Sequence, residues 1–383
     1  MSRRVYFAEN KNKTRVYSLF AVLLILALMA CVDRINIDTG IPAFFPVVID
    51  GFISDEQGPY TIEITKAFDI ESKQSIKTPI SVSKVVMSDN LGTQEVLKPV
   101  SIGVYQTSPT GIRGIIGRTY SLRIELLDGR IYESNPDTLL ASGKVDRVYH
   151  DFITGKTPDG ATTYGFDVFF DALAGERANY HFLWKFVGTF KADTNPELHD
   201  EPCGESRCPR PPPCSGYVYG AEGLTMTGPC TCCSCWYDIF NSDIILGDDE
   251  FVEGGKFKGI KATNIPLSSW TFMYKVHAEV RQFSLTSQSF NFWKAIKAQK
   301  RATNSLFQPL TGKVPSNFTQ ISGAAAPIEG LFYATSITSN AVYITREDVP
   351  DPRMIPSVEL PFKDNCINLY PNSTASRPSF WVE

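Results

Sequence analysis

The sequence predicts a mainly β fold, in which an N-terminal immunoglobulin-like β-sandwich precedes a second β-rich domain that carries one helix. Aromatic residues make up 12% of the 383 residues, and such side chains suit the half-buried surface of a sheet. Apolar and polar residues alternate in many short segments, which is the period of a strand with one buried face. The length exceeds the usual size of a single core, so we expect two domains, residues 46–142 and 143–383.

The first predicted domain consists of short strands joined by turns. Residues 60–65 and 82–87 have the composition of strands, and residues 120–132 form two further runs around Asp128-Gly129. This dipeptide favours a type I′ hairpin turn, in which both central residues have positive φ. Several such strands within about 100 residues predict a β-sandwich.

The second predicted domain is also rich in strands. Residues 164–170 and 180–186 place an apolar, mostly aromatic residue at every second position. Residues 270–280 continue this alternation over a length that is unusual for one strand. A Cys- and Pro-rich insertion, residues 191–236, lies between these strands. Its composition cannot build an apolar core, so crosslinks or an ion would have to order it.

One helix is predicted, over residues 286–300. Thr286 can cap its first turn by accepting a hydrogen bond from a backbone N–H. Leu285 and Phe290 have the spacing of a hydrophobic staple, and Phe290 and Trp293 share one helical face, with lysines at solvated positions. This pattern favours a helix packed on a sheet. The alternative is an exposed aromatic stripe that binds a partner.

The N-terminus has the pattern of a secretory signal peptide, residues 1–30. Basic residues precede an unbroken apolar run over residues 19–30, which is too short to span a bilayer as a helix. The segment 28–31 resembles the lipobox of bacterial lipoproteins, and this resemblance implies cleavage before Cys31 and lipid attachment to its thiol. Residues 31–45 would then form a tether. The alternatives are an ordinary signal peptide with an incidental cysteine and an uncleaved anchor.

The charge balance limits the partners of the exported chain. Removal of the leader leaves 32 Lys and Arg against 40 Asp and Glu, a formal net charge of −8. A chain this acidic has no general attraction for nucleic-acid phosphates or for anionic lipid surfaces. We therefore expect no nucleic-acid partner, and membrane attachment only through the lipid on Cys31.

Eight cysteines besides Cys31 lie unevenly along the chain. The disulfide candidates are Cys203, Cys208, Cys214, Cys230, Cys232, Cys233, Cys235 and Cys366. An exported chain meets an oxidising compartment, which favours disulfides, and the spacing matches no standard zinc module. A metal site and free thiols are the alternatives. Cysteines so close in sequence are expected to bond to different, distant partners, but the sequence does not choose among the pairings.

Motifs for catalysis are absent from the sequence. It contains neither Gly-x-Ser-x-Gly nor His-Glu-x-x-His, and its four histidines are isolated from one another. His277 falls on an alternating position that we expect to face solvent. The acidic run of residues 248–250 lacks the alternating oxygen ligands of a calcium loop, which indicates a solvated turn. The sequence therefore predicts a non-enzymatic protein with no cofactor and no metal.

A short motif in the first predicted domain concerns covalent modification. Asp137-Thr138-Leu139 resembles the O-glycosylation sequon of Bacteroidota envelope proteins, with Thr138 as the acceptor.

Five segments, in order along the chain, resemble one family. They are residues 46–60, its opening strand and turn; residues 120–134, its YxLxIxxxDGRxYES hairpin; Cys235-Trp236; residues 280–294, its QxSLxxxxxxFWKxL segment; and residues 330–336, a late glycine-aromatic strand. With the lipobox, they resemble the domain-of-unknown-function 4249 family of Bacteroidota lipoproteins. The resemblance implies an outer-membrane lipoprotein encoded beside a TonB-dependent receptor, and it brings no catalytic residues. Residues 203–233 carry more cysteines than the family pattern.

These observations predict a lipid-anchored envelope protein that acts as a non-enzymatic accessory or substrate-capture partner of a TonB-dependent transporter. The alternative is a structural or adhesive envelope protein without a transport role. A third hypothesis is an unrecognised hydrolase, since folding rather than sequence spacing brings the carboxylate pair of a glycoside hydrolase together. The face of the outer membrane stays open, because Val32-Asp33-Arg34 carries one acid and matches acidic surface-export signals poorly.

Overall fold

The computed structural model describes residues 46–66, 78–175, 180–248, 252–303, 314–356, 362–370 and 372–382, which lie within one compact unit, Phe44–Glu383. The predicted signal peptide, Cys31 and the tether lie outside the described residues and stay predictions. Strands dominate the described residues, which confirms the mainly β fold.

The strands range in length from 2 residues in Thr78–Pro79 to 13 residues in Lys144–Lys156. The first ten are β1 (Val47–Ser54), β2 (Thr61–Lys66), β3 (Thr78–Pro79), β4 (Val82–Asp89), β5 (Gln94–Val96), β6 (Lys98–Ser101), β7 (Val104–Gln106), β8 (Thr119–Leu126), β9 (Ile131–Ser134) and β10 (Asp137–Thr138). The next ten are β11 (Lys144–Lys156), β12 (Thr162–Leu173), β13 (His181–Asp193), β14 (Asp200–Cys203), β15 (Ser206–Pro209), β16 (Tyr217–Gly220), β17 (Gly223–Met226), β18 (Ser234–Phe240), β19 (Ile245–Asp248) and β20 (Lys256–Pro266). The remainder are β21 (Lys275–Leu285), helix α1 (Ser287–Thr303), β22 (Phe318–Ser322), β23 (Ile328–Thr335), β24 (Ile337–Thr345), the short helix α2 (Cys366–Leu369) and β25 (Ser373–Thr374).

The first sandwich packs two sheets around one core. One sheet has the order β23-β1-β2-β7-β6, with β3 beside β2, and the other has the order β22-β9-β8-β4-β5, with β10 beside β8. The alternation of β8 points Tyr120, Leu122, Ile124 and Leu126 inward, and all four are buried. Buried side chains of both sheets form one cluster, as a sandwich requires. The immunoglobulin-like topology stays a prediction.

Two strands from late in the chain complete the first sandwich. β22 pairs antiparallel with β9, and β23 pairs in parallel with β1 from Val47↔Ile328 to Ser54↔Thr335. The expected boundaries 46–142 and 143–383 therefore need correction, because residues 318–335 also belong to this sandwich. Parallel neighbours need a long connection, and alternation within a segment does not reveal which distant strand it joins.

The hairpin at Asp128-Gly129 is present, but the predicted turn type is wrong. The Leu126 N–H donates to the Arg130 carbonyl at 2.8 Å, and the Gly129 N–H donates to the Leu126 carbonyl at 3.2 Å. Gly129 has a φ of +84°, whereas Asp128 is not among the described non-glycine residues with positive φ. The loop is therefore a three-residue type I turn with a glycine bulge. Asp128 Oδ1 supports it by accepting the Arg130 N–H at 3.1 Å.

The second sandwich packs a sheet of order β11-β12-β20 against one of order β24-β21-β13-β18-β25, with β19 beside β13. Both sheets contribute to one aromatic-rich core. Trp184 lies at its centre, where the indole N–H donates to the Gln282 side chain at 2.8 Å and the ring lies 4.9 Å from that of Phe257. The strands predicted over residues 164–170 and 180–186 are confirmed as parts of β12 and β13.

The long strand predicted over residues 270–280 is interrupted, and β21 begins only at Lys275. The Ser268 carbonyl accepts the Phe272 N–H and its hydroxyl accepts the Thr271 N–H, both at 3.1 Å. These bonds turn the chain before the ladder begins. Phe272 still reaches the core, where it is fully buried beside Phe166.

Helix α1 confirms the helix predicted over residues 286–300. The Thr286 hydroxyl accepts the Ser289 N–H at 3.4 Å, as expected of the cap. Leu285 and Phe290 share a buried cluster with Leu331 and Tyr333 of β23, and Trp293 packs against it. The helix therefore packs on sheets of both sandwiches, and its aromatic stripe is covered.

Candidate functional site

An open groove lies where α1 passes the edge of the second sandwich. Its volume is about 600 Å³, within the range of about 300–1,000 Å³ that is typical of small-molecule sites. Three segments form it: the connection from β18 to β19, strand β20, and the C-terminal half of α1. The lining residues are Asn241, Asp243, Ile244, Ile245, Lys261, Ala262, Thr263, Asn264, Lys297, Lys300 and Arg301.

Asn241 ties two walls of the groove together. Its side-chain amide donates to the Ala262 carbonyl on β20, and its side-chain oxygen accepts the Asp243 N–H at 2.7 Å. The connection before β19 is thereby fixed to the edge strand of the three-stranded sheet. The Asn241 side chain therefore holds these two walls together through hydrogen bonds to backbone groups.

A buried carboxylate of the first sandwich positions α1, the third wall. Asp137 is 3% exposed and accepts hydrogen bonds from Thr286 Oγ1 at 2.5 Å, Ser289 Oγ at 3.1 Å and the Ala334 N–H at 3.0 Å. Burial raises the pKa of Asp137 above its usual value, and the hydrogen bonds oppose this rise only in part. One side chain therefore holds the start of α1 against β23.

The groove is lined by more positive than negative charge. Within Ser287–Thr303 the sequence has no acidic residue and four basic ones, Lys294, Lys297, Lys300 and Arg301. The last three line the groove, where Lys261 adds a fourth cation. Asp243 is the only acidic residue among the described lining residues.

The four groove cations differ in how they are paired. Lys261 Nζ lies 2.6 Å from Asp167 Oδ2, and Lys300 Nζ donates to the Ser242 carbonyl. The side chains of Lys297 and Arg301 make no hydrogen bond or ion pair with the other described residues. Burial lowers the pKa of Lys297, the charge of Arg301 lowers it further, and Asp243 opposes the change.

An apolar cleft shares Lys297 and Arg301 with the groove. Its volume is about 510 Å³. Its lining residues are Trp184, Leu246, Gly247, Asp248, Val252, Phe257, Ile260, Phe290, Lys294, Lys297, Ala298 and Arg301. A side chain at Gly247 would collide with the Trp184 ring, since an added Cβ would lie 2.2 Å from it. The cleft therefore needs glycine at this position of β19.

A smaller concavity of about 410 Å³ lies near the C-terminus. The Tyr274 hydroxyl donates to Asp193, and this bond, aided by burial, raises the pKa of Tyr274 to about 12. Lys275 Nζ lies 4.6 Å from the Tyr343 ring and 5.6 Å from the Trp381 ring. Tyr274, Lys275 and Arg346 here already have partners in the protein, the last by donating to the Phe272 carbonyl at 2.7 Å.

The eight cysteine candidates form four disulfides. The pairs are Cys203–Cys208, Cys214–Cys232, Cys230–Cys233 and Cys235–Cys366. The last pair joins β18 to α2 across 131 residues, whereas the other three close loops of 18 residues or fewer. The expectation that closely spaced cysteines bond to distant partners is therefore met by Cys235, whereas Cys230 and Cys233 bond to each other.

These bonds form a disulfide lobe, residues 194–233, that is fastened to the second sandwich. The Thr194 N–H donates to the Cys233 carbonyl at 2.7 Å, and the Cys366 N–H donates to the Cys232 carbonyl at 3.0 Å. Crosslinks thus order the lobe, whose composition could not build an apolar core.

The lobe carries an apolar hairpin, β16 and β17, that forms a two-stranded sheet of its own. Tyr217 pairs with Met226 and Tyr219 with Leu224, so these four side chains share one face. Tyr219 is 51% exposed and Met226 is 62% exposed. An isolated two-stranded hairpin is marginally stable in water. Here the Cys214–Cys232 disulfide closes the segment around it.

Two further predictions concern glycosylation of Thr138 and the exposure of His277. Thr138 is partly exposed in β10, and its hydroxyl lies 3.2 Å from that of Thr119; glycosylation there stays a prediction. The expectation that His277 faces solvent is wrong. Its side chain is 8% exposed and stacks 4.2 Å from the Phe380 ring, because the C-terminal segment covers this face of β21.

The acidic run of residues 248–250 is only partly described. Asp248 ends β19, and the two following residues lie outside the described residues. Across the described ranges, no three His, Cys, Asp or Glu side chains are grouped so that they could hold a metal ion.

Sequence reasoning missed both the cations of the groove and the apolar hairpin. It placed Lys297 at a solvated position, although a helix with four cations and no acid was a visible signal. It treated residues 217–226 only as part of an insertion, although Tyr-Val-Tyr and Leu-Thr-Met flank Gly220 and Gly223 in a hairpin pattern.

Comparison with known proteins identifies one family. The family described as "Domain of unknown function (DUF4249)" matches residues 38–341, about four-fifths of the chain. No curated protein and no solved structure matches the chain. Among the described residues, none of the helices is both long and apolar enough to span a bilayer.

Proposed function

We propose that this chain, which belongs to the DUF4249 family, is a lipid-anchored lipoprotein of the Bacteroidota outer membrane. We further propose that it is a non-enzymatic accessory subunit that captures substrate for a TonB-dependent transporter. The lipobox ending in Cys31 supports the anchor, and the net charge of −8 for residues 31–383 makes lipid, rather than surface charge, the means of attachment.

The groove beside α1 is the observation that carries the capture function. It combines a volume of about 600 Å³ with walls from a sheet edge, a tied loop and a helix. Rigid elements place binding groups more accurately than free loops do. The Asp137 hydrogen bonds join the helical wall to the first sandwich, so the body can present the groove as one platform.

The apolar hairpin supports contact with a partner protein. Tyr and Met are enriched at protein interfaces, and its face joins two tyrosines, Leu224 and Met226. The tip carries Glu222, an acid that disfavours insertion of the tip into lipid. Anchoring of both partners in one membrane raises their effective concentration, so a small contact area suffices.

Co-purification from detergent-solubilised outer membrane tests this function. We expect the full lipid-anchored chain to recover a TonB-dependent β-barrel receptor. Tyr219→Ser combined with Met226→Ser should lower the recovery about tenfold or more, because aromatic anchors dominate interface energy.

Leu127→Ser is the matched control, because Leu127 is also an exposed apolar residue of a hairpin, at 73% exposure. It should leave recovery unchanged. Equal recovery by the hairpin variant and the control would contradict docking through this hairpin. Cys31→Ala tests only whether anchoring is needed.

A structural or adhesive envelope protein is the second candidate function. The disulfide lobe favours it, because crosslinks and an exposed apolar hairpin also suit a surface that holds other molecules. An adhesive protein should keep its location and cell-contact phenotype without any bound receptor. Receptor-free complexes recovered from solubilised membrane would therefore favour this candidate.

A further inference from the structure

We propose that the groove beside α1 binds an anion with an apolar body, whose acidic group lies between Lys297 and Arg301. This inference rests on the proposed capture function and names the ligand class that the groove accepts.

The positions of Lys297 and Arg301 require an explanation. They lie four residues apart on α1, on one side of the helix, where like charges destabilise a helix by about 0.2–0.5 kcal/mol. The helix dipole favours cations in the last turn, which accounts for Lys300 and Arg301. It does not account for Lys297, which lies before that turn and is half-buried in the groove.

An anion between these two side chains would satisfy both. Neither has a hydrogen-bond or ion-pair partner among the described residues, whereas Lys261 and Lys300 are already engaged. Burial lowers the pKa of Lys297, and a bound anion would stabilise its charged form. The lining therefore has two available cations at one place.

The apolar cleft indicates the rest of the ligand. It touches the same Lys297 and Arg301, and Trp184, Phe257 and Phe290 are among its lining residues. A small inorganic anion would occupy little of the combined space. A carboxylate, sulfonate or phosphate attached to an apolar or aromatic body would use both the cations and the rings.

Calorimetric titration of the solubilised full chain tests the ligand class with three probes. The probes are naphthalene-1-sulfonate, the neutral naphthalene-1-sulfonamide and inorganic sulfate. We expect saturable binding of the sulfonate, and at least tenfold weaker binding of the sulfonamide and of sulfate. Equal affinity for the sulfonamide, or no saturation by the sulfonate at millimolar concentration, would overturn the proposal.

Charge-removing substitutions locate the site. Lys297→Met and Arg301→Met keep the length of the stem and should each weaken sulfonate binding about tenfold, because bonds to charged groups contribute about 1.5–3 kcal/mol. Lys98→Met removes the same charge from exposed strand β6 and should leave affinity unchanged.

Asp243→Asn provides a test in the opposite direction. It removes the acidic side chain of the groove while the Asp243 N–H bond to Asn241 can persist, so sulfonate affinity should rise. Unchanged affinity in all three groove variants would overturn the location.

The site and the proposed function can fail separately. A chain that binds the sulfonate through Lys297 but never co-purifies with a receptor would contradict the transporter role and support the site. A chain that co-purifies with a receptor but does not bind the sulfonate would overturn the proposed anion site and still support the accessory role.

Discussion

Asp137 lies where the first sandwich, β23 and α1 meet, and three hydrogen bonds converge on its carboxylate. In the sequence it was only the first residue of the glycosylation motif around Thr138. Its partners Thr286, Ser289 and Ala334 lie some 150 to 200 residues away. No local sequence pattern predicts such a contact, because each of these residues alone looks like an ordinary polar or small residue.

Substitution of Asp137 tests its structural weight. Asp137→Ala should lower the free energy of unfolding by about 2–4 kcal/mol, because it leaves the buried Ala334 N–H without its acceptor. Asp137→Asn should cost clearly less, since an amide oxygen can still accept that bond. Urea denaturation measures both. A loss below about 0.5 kcal/mol for the alanine variant would contradict this assignment.

The raised pKa of Asp137 also predicts a pH dependence. The folded state binds its proton more tightly than the unfolded state does, so this residue favours folding most below its unfolded pKa of about 4. That contribution declines as the pH rises to the folded pKa, and it is constant above it. The stability of wild type relative to Asp137→Asn should therefore fall across this window. A rise in this relative stability over the same pH range would contradict a raised pKa for Asp137.

Individual elements follow their local sequence where the determinants are local. The cap at Thr286 and the staple of Leu285 with Phe290 are short-range, and α1 forms as predicted. Gly129 marks a turn correctly, yet the register of the flanking strands selects a three-residue loop that the dipeptide alone does not specify. The pairing of β23 with β1 could not be predicted, because it joins segments about 280 residues apart.

The disulfides predict unequal contributions to stability. In the chain-entropy model, the Cys235–Cys366 crosslink over 131 residues contributes about 5 kcal/mol and the Cys203–Cys208 crosslink about 2 kcal/mol. Replacing Cys235 and Cys366 together with alanine should therefore lower the unfolding free energy about 3 kcal/mol more than replacing Cys203 and Cys208. Urea denaturation under non-reducing conditions compares them. Equal losses of unfolding free energy would show that the Cys235–Cys366 crosslink does not restrict the conformations of the unfolded chain more than the short crosslink does.

In the molecule as a whole, residue patterns predicted the β class and two β-rich domains, the first of them a sandwich, but not their interleaving. Residues 318–335 join the first sandwich between β21 and β24, two strands of the second sandwich, and α1 packs on both sandwiches. The groove escaped prediction for the same reason, since its three walls come from distant segments. A site whose residues come from distant segments has no continuous sequence motif.

We propose that this protein works in contact with an outer-membrane receptor, with the apolar hairpin at the interface. Photo-crosslinking in intact cells tests it most directly, with benzoylphenylalanine in place of Tyr219 and, as control, in place of Leu127, which lies on another exposed hairpin. We expect a crosslink from position 219, and none from position 127, to a TonB-dependent β-barrel. Crosslinks from both positions to the same unrelated proteins, or from neither, would contradict it.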